Sequence, residues 1–276
     1  MNICLNTKFL FVVTSTTVVE DRFLSDIDDF IRIILTKGVN LSNIIVATDA
    51  QQNMVLAKFP VMRGAVFITS SQLLNVINTI ECENLIILTD CHGSIYGIDA
   101  QSSILPHPLT EAIKNNHSLK NVIAFFGQCY AGIYNWVDLR KENKNIVYLG
   151  ATEFNSSLSC VLPGKSWHAN ISLAAFGQWL KKPIDIDGDG LFTVMDLYKY
   201  ILYCTNSITD AIEKRQTADL VDAKVDLKLA MKDKEDSTDE MMQLEKEAIE
   251  VLGNYIVPHQ NPWLLNAFSA QNIQFE

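Results

Sequence analysis

Six short runs of apolar, mostly β-branched or aromatic residues recur along the chain, and helix-patterned stretches separate them. They are "KFLFVVTS" from Lys8, "NIIVATD" from Asn43, "GAVFITS" from Gly64, "NLIILTD" from Asn84, "NVIAFF" from Asn121 and "NIVYLGA" from Asn145. Most are apolar at consecutive positions, as in strands buried on both faces by helices. Between the first two, Leu24, Ile27, Ile31 and Ile34 recur at helical spacing, and Gly38 follows as a natural stop. Ser70 or Ser71 is expected to cap a helix over "QLLNVINTI". Pro108 to Asn116 and Ala169 to Lys181 read as two more helices. Strands alternating with helices predict an α/β fold, a three-layer α/β/α sandwich on a mostly parallel six-stranded sheet.

The texture changes after Asn206. Residues 1–204 read as the core and 205–250 as an acidic, charged helical insertion with a break near Lys232 to Thr238. Residues 251–276 return to apolar sequence, with "VPHQNPWLLNAF" as a last edge strand. The insertion is expected to be a solvated helical hairpin; a lid, a cleavable segment or a regulatory-partner surface is the alternative.

Bulk properties narrow the function. Hydrophobic residues make up 48% of the 276, enough for a large core. The formal charge is 22 − 32 = −10, and no basic stripe interleaves with aromatics, which excludes a nucleic-acid partner. No apolar run approaches the roughly eighteen residues of a membrane span. "FLFVVTSTTVV" after Lys8 has the look of a signal-peptide core, but its threonines and the lack of a small-residue cleavage site favour a first strand. Six cysteines without a CxxC pair indicate a reduced, cytoplasmic chain, with secretion as the alternative. Asn170 to Ser172 matches a glycosylation pattern that matters only for a secreted chain.

Two strand ends carry reactive side chains. "NLIILTDCHG" ends on His92 and Gly93, and "NVIAFFGQC" ends on Cys129. In open α/β sheets ligands bind beyond the carboxyl ends of the strands. The separation, 129 − 92 = 37 residues, fits one crossover helix and one strand, so the two ends are expected side by side. A thiol is a good nucleophile as thiolate, and a nearby imidazole takes or balances its proton. Gly93 permits a tight turn, and its N–H together with that of Cys129 would make an oxyanion hole.

On these residues the chain resembles the caspase-fold cysteine peptidases, most closely the legumain branch. "TDCHGS" is similar to that branch's histidine–glycine motif with one cysteine inserted, and "FFGQCYAG" to its cysteine motif. "RFLSDIDDFIRIILTKGVNLSNIIVATD" resembles its first helix and second strand, "ITSSQLLNVI" the turn before the third main strand, and "YLGATEFNSSLSC" its cleft-lining loop. The resemblance spans about Lys8 to Tyr203. It implies His92 as general base and acid, Cys129 as nucleophile, Arg22 in the S1 pocket, and Ser156 and Ser157 in a backbone stretch that pairs with an extended peptide. Legumains carry a glutamate two residues before the cysteine, where this chain has Gly127; Gln128 stands one step later than the corresponding caspase glutamine. An S1 arginine implies an acidic or amide P1 residue.

"DIDGDGLFTVMD" is a second motif. Asp185, Asp187 and Asp189 occupy positions one, three and five of an EF-hand-like loop, Leu191 offers its carbonyl at seven, and Asp196 closes at twelve. One structural Ca²⁺ is the expectation, with an Asp/Gly turn capping a helix as the alternative. The expected activity is cysteine endopeptidase, acting on protein or peptide through a thioester acyl-enzyme without a catalytic cofactor. A transamidase or ligase on the same fold, or a non-catalytic calcium-tuned adaptor, is the competing reading.

Overall fold

A computed structural model describes residues 1–232 and 260–276 of the chain. Its first half contains β1 (Thr7–Val13), α1 (Asp21–Thr36), β2 (Ile44–Thr48), α2 (Gln52–Lys58), β3 (Val66–Ile68), α3 (Leu73–Thr79) and β4 (Asn84–Thr89). A small hairpin of β5 (Gly93–Ser94) and β6 (Gly97–Ile98) follows, then α4 (Pro106–Asn115), β7 (Asn121–Phe126) and β8 (Asn145–Gly150). The chain continues through β9 (Ser159–Val161), β10 (His168–Asn170), α5 (Ile171–Lys181) and α6 (Val194–Lys232), and ends with β11 (Trp263–Leu265) and α7 (Ala267–Asn272).

The main sheet runs β11-β8-β7-β4-β1-β2-β3 and is parallel except at β11. It has seven strands, not the six expected, because the C-terminal apolar run adds to the sheet as its antiparallel edge. Gly150 permits that pairing: a Cβ there would sit 2.1 Å from the Trp263 ring. The cap before α3 also differs. Thr69 and Gln72 form a capping box over a short 3-10 turn at Ser70–Gln72, so the cap falls one residue before the serines.

Register is fixed at the amino ends of the strands. The side chains of Thr7, Asn84, Asn121 and Asn145 form a hydrogen-bonded row across four neighbouring strands, with bonds of 3.2, 2.9 and 2.9 Å. The same four residues are backbone partners in the ladder. Three of them are the asparagines that open the apolar runs.

Alternation along each strand then divides the core. Phe9, Phe11, Val46, Ile86, Leu88, Ile123 and Phe125 face one side, where α1, α5 and the start of α6 pack. Leu10, Val12, Leu85, Ile87, Val122 and Phe126 face the other, against α3 and α4. On α1 the stripe Leu24, Ile27, Ile31 and Ile34 is buried as the spacing predicts, each side chain contributing about 1.5–3 kcal/mol. Phe11, Phe30, Phe176 and Phe125 join strands to helices through edge-on ring contacts at 5.5–5.8 Å.

Packing separates Met1–Thr205 with Gln260–Glu276 from a second unit, Asn206–His259. Of the latter, α6 continues as helix to Lys232. The expected break near Lys232 to Thr238, from residue 233 on, and the rest of the 205–250 segment beyond it lie outside the described residues. Among the described residues no helix is long and apolar enough to cross a membrane. Phe176→Ala is expected to cost about 3–5 kcal/mol and to lower the melting temperature by roughly 10 °C, measured by calorimetry; a loss under about 2 °C would contradict the aromatic core described here.

Candidate active site

β4 and β7 are adjacent and parallel, with Thr89 opposite Phe126, so the segments after them leave the sheet together. The Gly127 N–H bonds the Thr89 carbonyl at 3.0 Å and continues the ladder one residue further. Gly93 then packs directly on the cysteine segment, where a Cβ would lie 2.4 Å from the Cys129 carbonyl oxygen and from Gln128 Cγ. The histidine–glycine end and the cysteine end therefore touch. In the β5–β6 hairpin the His92 carbonyl accepts from the Asp99 N–H, and the Ile98 N–H goes outward to Ile104. Gly93 thus sits in the non-hydrogen-bonded pair, which leaves its N–H outside the ladder.

Cys129 is half-buried, and its sulfur accepts from the Ser157 N–H at 3.3 Å. The next residue, Tyr130, is left-handed at φ 56°, a conformation that costs a non-glycine residue about 1 kcal/mol or more. Its N–H is tied to the Asn155 carbonyl at 2.9 Å, which turns the chain sharply after the sulfur. His92 is half-exposed. Its Nε2 meets Glu20 Oε1 at 2.6 Å, and the ring edge abuts Phe23 at 5.1 Å. With Nε2 engaged, Nδ1 is the position left to exchange a proton with a thiol or a leaving group. Glu20 Oε2 also accepts from Arg22 Nε at 2.6 Å. The Arg22 hydrogen bond holds the Glu20 carboxyl below its usual range, partial burial opposes this, and His92 adds to the lowering. Such half-exposed pairs contribute about 0–1 kcal/mol to stability, so their effect here is orientation.

Arg22 stacks over Phe23 at 4.0 Å and reaches Ser159 Oγ with Nη1 at 3.2 Å. It spans from α1 to the loop that carries Ser156 and Ser157. Ser156 is exposed, while the Ser157 hydroxyl is buried without a hydrogen-bond partner. Gln128 departs from expectation. It is buried rather than cleft-lining: its Oε1 accepts from the Thr89 hydroxyl, and its stem packs under Gly93. Cys91 faces the opposite way from His92 into the core, where burial drives its thiol well up.

Beneath the strand ends lies a polar layer that the sequence reading missed. Asn170 donates through Nδ2 to the Gly127 carbonyl at 2.9 Å and to Asp90 Oδ1 at 3.1 Å, so it bridges the two segments. Its burial also removes the glycosylation motif from the folded surface. Asp26 accepts from the Asn170 N–H at 2.8 Å and from Trp167 Nε1 at 2.7 Å. Asn170 thus joins the two carboxyls, Asp26 through its backbone N–H and Asp90 through its side-chain amide. Burial raises both above the ordinary 3.8, and the facing Asp26 charge raises Asp90 further. Asp90 Oδ2 is buried without a hydrogen-bond partner, which disfavours its charged form.

The aspartate loop is only partly gathered. Oxygens of Asp185, Asp187 and Asp189 lie within 4.8 Å of one another, a spacing that fits a hard cation. Asp196 is not in that cluster. Its oxygens accept from the Ile186 N–H, the Thr193 N–H and the Thr193 hydroxyl, and burial is outweighed by those bonds in holding its carboxyl low. Lys199 pairs with Asp187 at 2.7 Å, and Leu191 is exposed.

No sequence-family description and no curated protein matches the chain. Among solved structures it is similar to caspase-1 from Spodoptera frugiperda, at 10% identity and a TM-score of 0.51, covering 100% of this chain and 90% of that one. The fold is caspase-like. A secreted C11 cysteine protease from Bacteroides thetaiotaomicron, "iotapain", also matches, at 10% identity and a TM-score of 0.37 over 72% of this chain and 62% of that one. Kinship to the legumain branch rests on the motif resemblance alone.

The carboxyl pair makes a prediction with a definite sign. Both groups hold protons more tightly folded than unfolded, so above about pH 4 the native state binds the extra proton and stability falls as pH rises through the folded-state titration. Asp90→Asn keeps a neutral group and removes that titration. Its melting temperature relative to wild type is expected to climb as pH rises above about 4; a constant difference would refute the raised Asp90 carboxyl.

Proposed function

We propose that the protein is a cysteine endopeptidase of the caspase fold, in its legumain-like branch, with Cys129 as nucleophile and His92 as acid and base. The observation that carries this reading is the direct packing of Gly93 on the Cys129 backbone at the tips of adjacent strands. The thiolate attacks the peptide carbonyl carbon, and the N–H groups of Gly93 and Cys129 face the developing oxyanion. The C–N bond breaks, and the leaving amine takes its proton from the imidazolium. Water, deprotonated by His92, then attacks the thioester carbonyl and releases the thiol.

Glu20 acts as a positioning residue: its carboxylate fixes the ring through Nε2 and stabilises the imidazolium. Arg22 supports an acidic or amide P1 side chain, which would share its guanidinium with Glu20. All six cysteines are free, which fits a reducing, cytoplasmic setting. Cys129→Ala should lower cleavage of a peptide mixture, mapped by mass spectrometry, by about 10³-fold or more while preserving the fold; full activity in the variant would refute the assignment.

The Asp185–Asp196 loop is proposed as a structural calcium loop, supported by the order and convergence of Asp185, Asp187 and Asp189. Carboxylates at these positions, with the Leu191 carbonyl, would hold the ion, and Asp196 would join only by giving up its backbone bonds. Millimolar calcium should raise the melting temperature of wild type and not of Asp187→Asn/Asp189→Asn. An equal response, or none, would leave the loop as a helix cap.

A further inference from the structure

A second cavity opens beside the catalytic tips on the side away from the nucleophile. It encloses about 370 Å³ between the segment after β1, the first turns of α1 and helix α2. Val19, Leu24 and Val55 form a buried floor, and Val18 and Met54 stand at its rim, 78% and 59% exposed. Two exposed aliphatic side chains over an apolar floor leave a concave surface that water covers poorly.

Its place in the fold is set by hydrogen bonds. The segment that makes its wall is tied to the histidine hairpin: the Thr14 hydroxyl donates to the Asp99 carbonyl at 2.7 Å, and the Thr16 N–H donates to Asp99 Oδ2 at 3.1 Å. Asp99 in turn donates its N–H to the His92 carbonyl at 3.0 Å. Glu20, which holds the His92 ring, directly follows Val19 of the floor. The rim carboxylate of Asp49 is anchored by the Ser70 hydroxyl at 2.7 Å and the Gln101 N–H at 3.1 Å, so the opposite wall is braced too. A larger cavity of about 830 Å³ opens at Lys120, Asn121 and Asn145, the amino ends of β7 and β8, and is at the wrong end of the strands for this chemistry.

Strand order then says which part of a substrate would reach it. Cys129 follows β7, His92 follows β4, and the cavity lies beyond β1 and β2, in that sequence across the sheet. The leaving amine must lie on the histidine side of the sulfur to receive its proton, so the chain after the scissile bond runs toward β1 and β2. From between β7 and β4 to between β1 and β2 is two strand spacings, about 10 Å, and extended peptide advances roughly 3.3 Å per residue.

We infer that this cavity is a specificity subsite for an aliphatic or aromatic side chain on the second or third residue after the scissile bond. The inference rests on the peptidase reading above and names the substrate class of the same site. The acyl half of the substrate meets Arg22 and the Ser156 loop, and the departing half is selected by the apolar floor.

The test uses the full chain and a defined mixture of peptides, with every cut mapped by mass spectrometry. Wild type should favour Leu, Met or Phe over Ser at the second or third position after the cut by about tenfold. Met54→Lys puts a charge at the rim and should bring that ratio toward one. The ratio is internal to each digest, so a variant that is merely less stable cuts less without changing it. Cuts with a flat profile at those positions, or a preference that Met54→Lys leaves intact, would overturn the subsite and spare the peptidase. A wild-type protein that cuts no peptide, or cuts as Cys129→Ala does, would overturn the peptidase reading and the subsite with it.

Discussion

The row of side-chain hydrogen bonds from Thr7 through Asn84 and Asn121 to Asn145 is the constraint on which the site depends. A parallel sheet of apolar strands has little in its core to distinguish one register from another, because one aliphatic side chain replaces another at modest cost. Asn84 is buried, and a buried amide without its partner costs about 1–3 kcal/mol, so the row penalises a slip of β4 against its neighbours. Locking the amino ends places Thr89 opposite Phe126 at the carboxyl ends. Only in that register does the Gly93 backbone meet that of Cys129; a two-residue slip would carry the histidine about 7 Å from it.

The second determinant lies under the reactive tips. Asn170 joins the Gly127 carbonyl to the Asp90 carboxyl, and Asp26 holds Asn170 and Trp167 from the first helix. This layer ties α1, both strand ends and the start of α5 into one polar unit that aliphatic packing would not orient as narrowly. It also explains Gly127, where a glutamate or glutamine side chain would have no room: a Cβ would come within 2.5 Å of the Thr89 carbonyl and 2.8 Å of Asn170 Nδ2. In the reading proposed above, an S1 pocket would therefore be built around Arg22 and its own Glu20, without a contribution from that position.

Much of the fold was legible because burial on both faces leaves a plain mark: consecutive apolar residues, each run opened by asparagine in β4, β7 and β8. The two strand ends were legible because glycine next to histidine and cysteine has few purposes on an apolar strand. Glu20 was not, since it lies in an aperiodic loop, although its place two residues before Arg22 was the available signal. Asp26 lies within the first-helix stretch, and no periodicity could reveal that Asn170 would join it to Asp90, 64 positions away (90 − 26). Gln128 was misread because a polar residue beside a nucleophile suggests the cleft, whereas the tight turn after β7 sends its side chain inward. The seventh strand is legible as an apolar run and a last edge strand, but sequence separation hides which edge a distant segment joins, so it stands outside the count of six.

The antiparallel edge has a consequence for the covalent continuity of the chain. Trp263 to Leu265 are stitched to β8, the Trp263 indole bonds the Thr152 carbonyl, and Gln260 bonds both Leu158 and Ser172. These anchors lie beyond Asn206–His259, so a nick within that stretch would sever the polypeptide while its tail stayed embedded in the sheet. Denaturing electrophoresis would then count two fragments where gel filtration in native buffer counts one particle, and the tail would go on bracing the loop beside the sulfur.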